Sequence, residues 1–260
     1  MYDLSADHPA PLVPADRVVA VRERITPAGV ALALTPAEAA RVADAVAALE
    51  PETVVVSLLH SYENAAHERM LASAIEARLP GVAVVQSAEV LPALRASARP
   101  TTAVAEGYAR PRVSLYLRHL SERLASDGYP APDVMTSGGG MRTAAEASGA
   151  AAALALSGPA GGVVGSAAVL RAAGLSDALT IDIGGTSADA GLVLAGEPLV
   201  EPGGSVAGVP IALPRVLVET VSAGGGSIAW IDDGGALRVG PRSAGAVPGP
   251  VAFARGGTLP

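Results

Sequence analysis

The sequence contains no cysteine and no lysine, and aromatic residues make up only 3% of its 260 residues. The absence of cysteine excludes disulfides, thiolate zinc sites and a cysteine nucleophile. The absence of lysine excludes a P-loop lysine, a Schiff-base lysine and a lysine general base. Arginine cannot replace lysine in these roles, because it stays protonated. A phosphate ligand would therefore have to be bound by backbone amides, hydroxyls, arginine or a metal ion.

Charge and hydropathy narrow the class of protein further. The net charge is -7, so we expect no basic surface for nucleic acid. No basic and then apolar leader follows Met1. The uncharged stretch 147–170 is interrupted by Ser157-Gly-Pro and a glycine pair, which argues against a membrane span. We therefore expect a soluble, cytoplasmic protein that binds neither nucleic acid nor membrane.

Helix and strand patterns alternate in the first half of the chain. Thr35-Pro36-Ala37-Glu38 is typical of a helix N-terminus, in which Thr35 caps the helix and Glu38 returns to the cap amide. The apolar run Thr53–Leu59 predicts a strand covered on both faces. Asn64 predicts the cap of a second helix, and residues 82–85 predict a second strand. This alternation favours an α/β layer with a parallel sheet.

The two halves of the chain differ in composition and in the secondary structure that they predict. Residues 1–18 are rich in proline and aspartate and predict an extended lead-in, and residues 101–126 predict a long helix. Glycine clusters follow from Asp133, and short strands joined by turns are predicted after residue 190. We place a domain boundary near 127–132, which gives domains at 1–130 and 131–260.

The segment Ala178–Asp189 carries the most information about function. The apolar residues 178–183 predict a central strand that carries Asp182 at its carboxyl end, Gly184 and Gly185 predict a turn without side chains, and Thr186 offers a hydroxyl. A phosphate can approach such glycines closely and accept several N–H groups. Asp182 repels a bare phosphate but suits a bound Mg²⁺ or an oriented water. A simple β-hairpin with a glycine turn is the alternative.

Two further glycine-rich segments are candidate ligand loops. Ser157–Gly165 precedes an apolar helix, whose N-terminus could bind an anion or whose glycines could simply allow close packing. Ser222–Ser227 contains three consecutive glycines between predicted strands. This backbone could be approached by a flat ligand such as a nucleoside, or the segment could be a mobile loop. His60 and His67 lack the spacing of a compact metal motif, and we interpret them as part of one helix cap.

Taken in order, these segments resemble the hydantoinase A/5-oxoprolinase family. The resemblance rests on Asp182–Asp189, Ser157–Gly165 and Ala223–Ser227, and on Gly240–Pro250, which fits the pattern G-P-x-S-A-G-x-x-P-G-P. It implies incomplete lobes of the actin-like (ribonuclease H-like) ATPase fold, of α/β class, with a β-rich C-terminal part. It also implies ATP and Mg²⁺ as cofactors.

The resemblance implies a role for each candidate residue. Asp182 is expected to bind the metal and to act in catalysis with Thr186 and Asp189. The residues expected to bind the nucleotide are Gly158, Gly161, Gly162, Gly184, Gly185, Ser187, Gly224, Gly225, Gly226 and Ser227. The implied activity is ATP-dependent hydrolysis of cyclic amides such as 5-oxoproline or hydantoins. A subunit of an ATP-dependent ketone carboxylase is the alternative.

One expected element is absent from these 260 residues. Family members carry a first D-x-G-G-T-F-T-D loop on the opposite lobe, and the sequence contains only the loop at Asp182. We therefore expect the chain to require a second subunit, or the missing lobe, for turnover. A non-catalytic remnant that binds a partner lobe is a further alternative.

Overall fold

The computed structural model describes residues 11–94 and 97–258, and the chain divides into two compact units. The first unit comprises Met1–Val134, Arg142–Ala153 and Gly203–Leu213, and the second comprises Met135–Met141, Leu154–Pro202 and Pro214–Pro260. The lead-in predicted over 1–18 lies outside the described residues as far as position 10. The domain boundary near 127–132 stays a prediction.

The helices are concentrated before residue 173. They are α1 (Pro36–Ala47), α2 (Ala66–Arg78), α3 (Ser87–Val90), α4 (Ala98–Ser126), α5 (Ala144–Ser148) and α6 (Ser157–Ala172). Short 3-10 helices occupy Ala15–Arg17, Ala151–Leu154 and Val251–Phe253. Within the described residues, none of these helices is both long and apolar enough to cross a membrane.

The strands are short and most of them form two-stranded pairs. In chain order they are β1 (Arg24–Thr26), β2 (Gly29–Leu32), β3 (Thr53–Val56), β4 (Ala83–Gln86), β5 (Asp133–Met135), β6 (Met141–Thr143), β7 (Ala178–Ile183), β8 (Ala188–Leu194), β9 (Glu197–Pro198), β10 (Val200–Glu201), β11 (Gly204–Val206), β12 (Val209–Ile211), β13 (Arg215–Val216), β14 (Val218–Val221), β15 (Ser227–Ile231) and β16 (Leu237–Ser243).

Helix α1 begins as its sequence predicts, with one difference in the cap. The Thr35 hydroxyl accepts a hydrogen bond from the Glu38 amide at 3.2 Å, which satisfies one of the free amides of the first turn. The Glu38 carboxylate does not return to the cap amide. It accepts instead from the Arg22 amide at 2.9 Å and from the Arg41 guanidinium, because a charged donor offers a stronger hydrogen bond.

The core of the first unit packs α1 and α2 against a two-stranded parallel sheet. Strands β3 and β4 pair in parallel, as the alternation of helices and strands predicts. The buried cluster takes residues from both helices and from β3, and it includes Val42, Val46, Val56, Leu71 and Ile75. This cluster explains the apolar spacing along both helices.

Strand β3 is shorter than predicted, since it ends at Val56 and not at Leu59. The amide of Leu58 donates to the Glu68 carboxylate at 2.8 Å, and its carbonyl accepts from the Ser61 hydroxyl and the Arg99 guanidinium. Both backbone groups of Leu58 are therefore engaged outside the sheet. An apolar run alone does not reveal such partners, which lie up to 41 residues away.

His67 has a structural role, but the interpretation as part of a helix cap is wrong, because His67 lies within α2 and its partners are distant in sequence. Its Nε2 accepts from the Leu34 amide at 3.3 Å, and its Nδ1 lies 2.6 Å from a Glu23 carboxylate oxygen. A ring that accepts at Nε2 carries its proton at Nδ1, so it donates to Glu23. Both ring nitrogens are thus used within the first unit.

The second unit is built on an antiparallel sheet in the order β14-β8-β7, with β9 paired to the end of β8. The prediction that Asp182 ends a central strand is wrong, because β7 lies at the edge of this sheet within the described residues. Helix α6 packs on one face, with Val163 and Ala167 buried against Val193 and Val218. On the other face of β7, the side chains of Leu179, Ile181 and Ile183 are 64–67% exposed.

Candidate functional site

The hairpin of β7 and β8 carries Asp182 to the end of its strand, as the sequence predicts. Asp182 stands opposite Asp189, and Ile183 stands opposite Ala188. The turn between the strands is closed by a hydrogen bond from the Gly184 amide to the Ser187 carbonyl at 2.9 Å. Two carboxylates therefore flank the glycine turn on one face of the hairpin.

Both carboxylates line a cavity of about 550 Å³. Directly opposed residues in an antiparallel pair have Cβ atoms about 4.5–5.5 Å apart, and like charges at this distance repel. Asp189 is oriented by the Thr220 hydroxyl of β14, which donates to its Oδ1 at 2.5 Å. Such a pair is stabilised by a cation between the carboxylates or by hydrogen-bond donors from a ligand.

The N-terminal part of α6 lies along the same cavity. Pro159, Gly162 and Ser166 are among the lining residues. The prediction that Ser157–Gly165 is a loop is wrong, because α6 begins at Ser157 and includes the whole segment. Pro159 is compatible with this position because the first turn of a helix does not use its amides internally. The cavity follows the flank of α6 from Pro159 to Leu170, so the positive end of the helix dipole borders one end of the cavity that the carboxylates also line.

Close packing brings α6 onto the sheet. A Cβ at Gly191 would lie 2.3 Å from a methyl carbon of Val163 and 2.8 Å from the Thr180 hydroxyl. Glycine at this position of β8 thus lets the helix approach the strands. Val163, Thr180 and Gly191 all line the cavity that Asp182 and Asp189 also line.

The two glycine loops contact each other through their backbones. The Gly225 amide donates to the Gly184 carbonyl at 2.9 Å, and the Gly226 amide donates to the Gly185 carbonyl at 2.7 Å. A Cβ at Gly224 would lie 2.5 Å from the amide nitrogen of Thr186. The glycines at 224 and 226 are therefore required by the approach of the 184–187 turn.

The Ser227 hydroxyl connects the 224–227 loop to the 184–187 turn through two hydrogen bonds. Its hydroxyl oxygen accepts from the Gly224 amide at 2.9 Å and donates to the Thr186 carbonyl at 3.3 Å. The Gly240–Pro250 segment is hydrogen-bonded to the 224–227 loop, since the Ala244 amide donates to the Gly226 carbonyl at 2.7 Å. Three of the four motifs that carry the family resemblance, Asp182–Asp189, Ala223–Ser227 and Gly240–Pro250, thus form one hydrogen-bonded layer.

The predicted site residues fall into two groups. Gly162, Asp182 and Asp189 share the cavity. Gly184, Gly185, Thr186 and Ser187 form a second group with the 224–227 loop. Gly158 and Gly161 are not among the residues that line the described cavity. A Cβ at Gly161 would make an ordinary contact with the Met135 side chain at 3.6 Å, so the packing does not require glycine there.

The donor chemistry of the site fits a hard cation. Carboxylate oxygens are the protein ligands that Mg²⁺ takes, usually one or two of them together with waters and substrate phosphates. Asp182 and Asp189 provide such a pair. Within the described ranges, no group of three or more His, Asp or Glu side chains could hold a metal by itself. The site therefore suits an ion that arrives with a phosphate ligand.

Two residues that shape the site were missed by sequence reasoning. Thr220 lies 31 positions from the carboxylate that it orients, and Gly191 lies 28 positions from the valine that needs its space. The alternation of β14 gives no reason to single out Thr220. The isolated glycine in the pattern of β8 is a signal of close backbone approach that could have identified Gly191.

Fold and site together define an α/β protein with a glycine hairpin, a helix N-terminus and a carboxylate pair at one cavity. The family model described as hydantoinase/oxoprolinase matches residues 99–260, and the model of the hydantoinase/oxoprolinase N-terminal region matches residues 1–79. The chain belongs to the hydantoinase/oxoprolinase family.

Two relatives of similar sequence show how much of a longer protein this chain covers. An uncharacterised protein of Methanocaldococcus jannaschii is 36% identical over 274 residues, which cover all of this chain and 40% of that protein. Caprolactamase subunit alpha of Pseudomonas jessenii is 35% identical over 210 residues, which cover 80% of this chain and 30% of that subunit. The chain thus spans less than half the length of either relative.

Two solved structures share the fold. Nucleotide-free acetone carboxylase, studied for ATP-dependent acetone carboxylation, superposes with a TM-score of 0.76 at 31% identity and covers 92% of this chain and 34% of its own. The ATP-dependent caprolactamase of Pseudomonas jessenii superposes with a TM-score of 0.76 at 30% identity. That match covers 100% of this chain and 38% of the caprolactamase chain.

Proposed function

We propose that this chain forms the nucleotide-binding part of an ATP-dependent hydrolase of cyclic amides. The observation that carries the proposal is the opposition of Asp182 and Asp189 at a cavity that the N-terminal part of α6 also lines. A helix N-terminus favours phosphate, and a carboxylate pair favours Mg²⁺. Together they suit a magnesium nucleotide, in which the cation is held by the carboxylates and the phosphates lie near the helix N-terminus.

Each group has a defined task in this proposal. Asp182 and Asp189 hold the cation, and Thr220 keeps the Asp189 carboxylate in place. The 184–187 turn presents backbone amides and the Thr186 hydroxyl to the phosphates. The 224–227 loop supports that turn and borders the nucleoside. Bound ATP would supply a phosphoryl group that converts the amide oxygen of the substrate into a leaving group.

The fold proposed for the second unit is that of an actin-like ATPase lobe. An antiparallel hairpin with a glycine turn and a helix against its sheet supports this proposal. The ATP-dependent reactions named in both structural matches support the nucleotide. The family description and the caprolactamase relative support a cyclic amide as the substrate class.

A ketone carboxylase subunit is the second candidate function. The acetone carboxylase structure superposes as well as the caprolactamase structure, and the two identities differ by one percentage point. Both structures are named for ATP-dependent reactions, so the same nucleotide site would serve either function. The second substrate therefore distinguishes the two functions, and the nucleotide site does not.

The proposal includes a partner polypeptide. One D-x-G-G-T loop is present in the 260 residues, and phosphoryl transfer requires positioning groups around all of the phosphates. Strand β7 has no neighbour on its outer edge within the described residues, and it exposes Leu179, Ile181 and Ile183. An apolar edge strand of this kind is a template for a further strand. We propose that the polypeptide carrying the missing loop also covers this edge.

The test is an assay of the chain alone and with a polypeptide that carries the D-x-G-G-T-F-T-D loop. We expect ATP hydrolysis coupled to opening of 5-oxoproline or caprolactam only with the partner. Replacement of Asp182 by alanine should abolish it. Acetone and bicarbonate as substrates test the carboxylase alternative. Absence of turnover in every combination would overturn the proposal and favour a non-catalytic remnant.

A further inference from the structure

Arg99 is a buried cation whose hydrogen-bonding capacity is mostly unused. It lies near the start of α4 in the first unit and is only 2% exposed. Its Nη2 donates to the Leu58 carbonyl at 2.6 Å. Its Nε and Nη1 are buried and have no hydrogen-bond acceptor within residues 11–94 and 97–258. A buried charge left without an anionic partner is strongly unfavourable.

Glu68, a buried carboxylate that also bonds Leu58, is already engaged by other donors. Glu68 is fully buried, and its Oε1 accepts from the Leu58 amide and from the Ser87 hydroxyl. Its Oε2 accepts from the Ala88 amide at 2.9 Å. In the part of the chain that the structure describes, no ion pair joins Glu68 or any other carboxylate to Arg99. Among the residues that the structure describes, the charge of Arg99 is therefore uncompensated.

Residues 60–62, which contact Arg99 through the Tyr62 ring, include one residue in a strained backbone conformation. The guanidinium carbon lies 5.6 Å from the ring centre of Tyr62, and the Tyr62 hydroxyl lies 3.4 Å from Nδ1 of His60. His60 has a φ of 58°, an uncommon conformation for a residue with a side chain. This segment follows the carboxyl end of β3, where parallel α/β sheets place their ligands. Strain at such a position is typical of ligand sites.

Arg99 also lines a cavity of about 760 Å³ in the first unit. The lining is mainly valine and leucine side chains. The charged residues among the lining are three arginines and one glutamate, namely Arg17, Arg99, Arg112 and Glu52. The cavity therefore combines an aliphatic wall with a net positive charge, and this favours a ligand with a negative head and an apolar body.

We propose that Arg99 anchors a binding site for a small aliphatic carboxylate in the first unit. The carboxylate provides two acceptor oxygens for the unused guanidinium donors. The aliphatic body replaces water along the valine and leucine wall. The proposal is independent of the proposed function, because it concerns a different cavity in a different unit.

The first arm of the test requires no variant. Hexanoate and hexanamide have the same chain length and differ in charge at the head group. Calorimetric titration of the 260-residue chain should show hexanoate binding at least about tenfold more tightly than hexanamide, as expected for charged hydrogen bonds. Equal affinities, or the absence of hexanoate binding at 10 mM (an affinity of only about 2.7 kcal/mol), would overturn the proposal.

The second arm removes the charge and keeps the volume. In Arg99→Met we expect hexanoate to bind no more tightly than hexanamide. We also expect the melting temperature without ligand to stay the same or rise, because an unpaired buried charge has been removed. The matched control is Arg118→Met on the exposed surface of α4, which should retain the preference. Retention of the hexanoate preference in Arg99→Met would contradict the site.

Discussion

Asp182 lies directly opposite Asp189 across the antiparallel pair of β7 and β8, and both carboxylates line one cavity. The repulsion between them is a cost of about 0.2–1 kcal/mol in the absence of a cation. The arrangement makes sense for a site that is completed by a bound metal ion. It also makes the role of the pair measurable without any catalytic assay.

Replacement of Asp182 by asparagine should separate the repulsion between the two carboxylates from their binding of a metal ion. Without Mg²⁺, we expect Asp182→Asn to raise the free energy of unfolding by up to about 1 kcal/mol, because the like-charge repulsion is relieved. With Mg²⁺, we expect stabilisation of the wild type and none of the variant. Thermal unfolding with and without Mg²⁺ measures both effects. Asp233→Asn, at an exposed position of the β15–β16 turn, is the control and should respond like the wild type.

Two glycines of α6 allow stability and binding to be distinguished. A Cβ at Gly162 or at Gly165 meets no atom within 4 Å. Alanine at either position should therefore stabilise the helix by about 0.5–1 kcal/mol. Only Gly162 lines the cavity with Asp182 and Asp189. We expect Gly162→Ala to weaken phosphate binding severalfold and Gly165→Ala to leave it unchanged, as measured by titration with ATP. Equal affinities in the two variants would place the phosphates elsewhere.

The contact of the two glycine loops predicts a sharp difference between neighbouring positions. A Cβ at Gly224 would lie 2.5 Å from the Thr186 nitrogen and 2.6 Å from the Ser187 nitrogen, whereas a Cβ at Gly225 would meet its nearest atom at 3.9 Å. We expect Gly224→Ala to lower the free energy of unfolding by about 1–3 kcal/mol. We expect Gly225→Ala to change it by less than about 0.5 kcal/mol. Urea unfolding of both variants provides the comparison, and similar losses would argue against the observed packing.

Acid stability should depend on Glu38. Hydrogen bonds from the Arg41 guanidinium and the Arg22 amide lower the pKa of Glu38 from 4.5 to about 2. Because the pKa is lower in the folded state, the stabilisation is present above pH 4.5 and is lost as the pH falls through 2. Between these values the unfolding free energy of the wild type should fall more steeply than that of Glu38→Gln. The exposed Glu76→Gln on α2 is the control and should follow the wild type, and parallel curves for all three proteins would contradict the prediction.

Local sequence signals predicted those parts of the molecule that depend on near neighbours. Thr35 caps α1. The cap position of α2 is Ala65 and not Asn64, but the Asn64 side chain, one residue earlier, accepts from the Ala66 amide. Asp182 ends a strand that runs into a glycine turn. In each case the interacting groups lie within a few residues, so the spacing of residue types is informative.

Features set by distant partners could not be predicted in the same way. The end of β3 depends on Glu68 and Arg99, and the edge position of β7 depends on the order of the whole sheet. The three glycines of 224–226 suggest space for a flat ligand when only the sequence is considered, whereas the structure shows that Gly224 and Gly226 make room for the neighbouring turn. A glycine reports close approach, but the sequence does not say what approaches.

The most direct test of the account is calorimetric titration of the 260-residue chain with ATP, with and without Mg²⁺. We expect weak binding, with a Kd of about 0.1–1 mM or about 4–5.5 kcal/mol, because one phosphate loop is present. The binding should require Mg²⁺ and should be lost in Asp182→Asn but retained in Asp233→Asn. ATP binding that is independent of Mg²⁺, or that is equally strong in Asp182→Asn, would contradict the assignment of the carboxylate pair and its cavity as the nucleotide site.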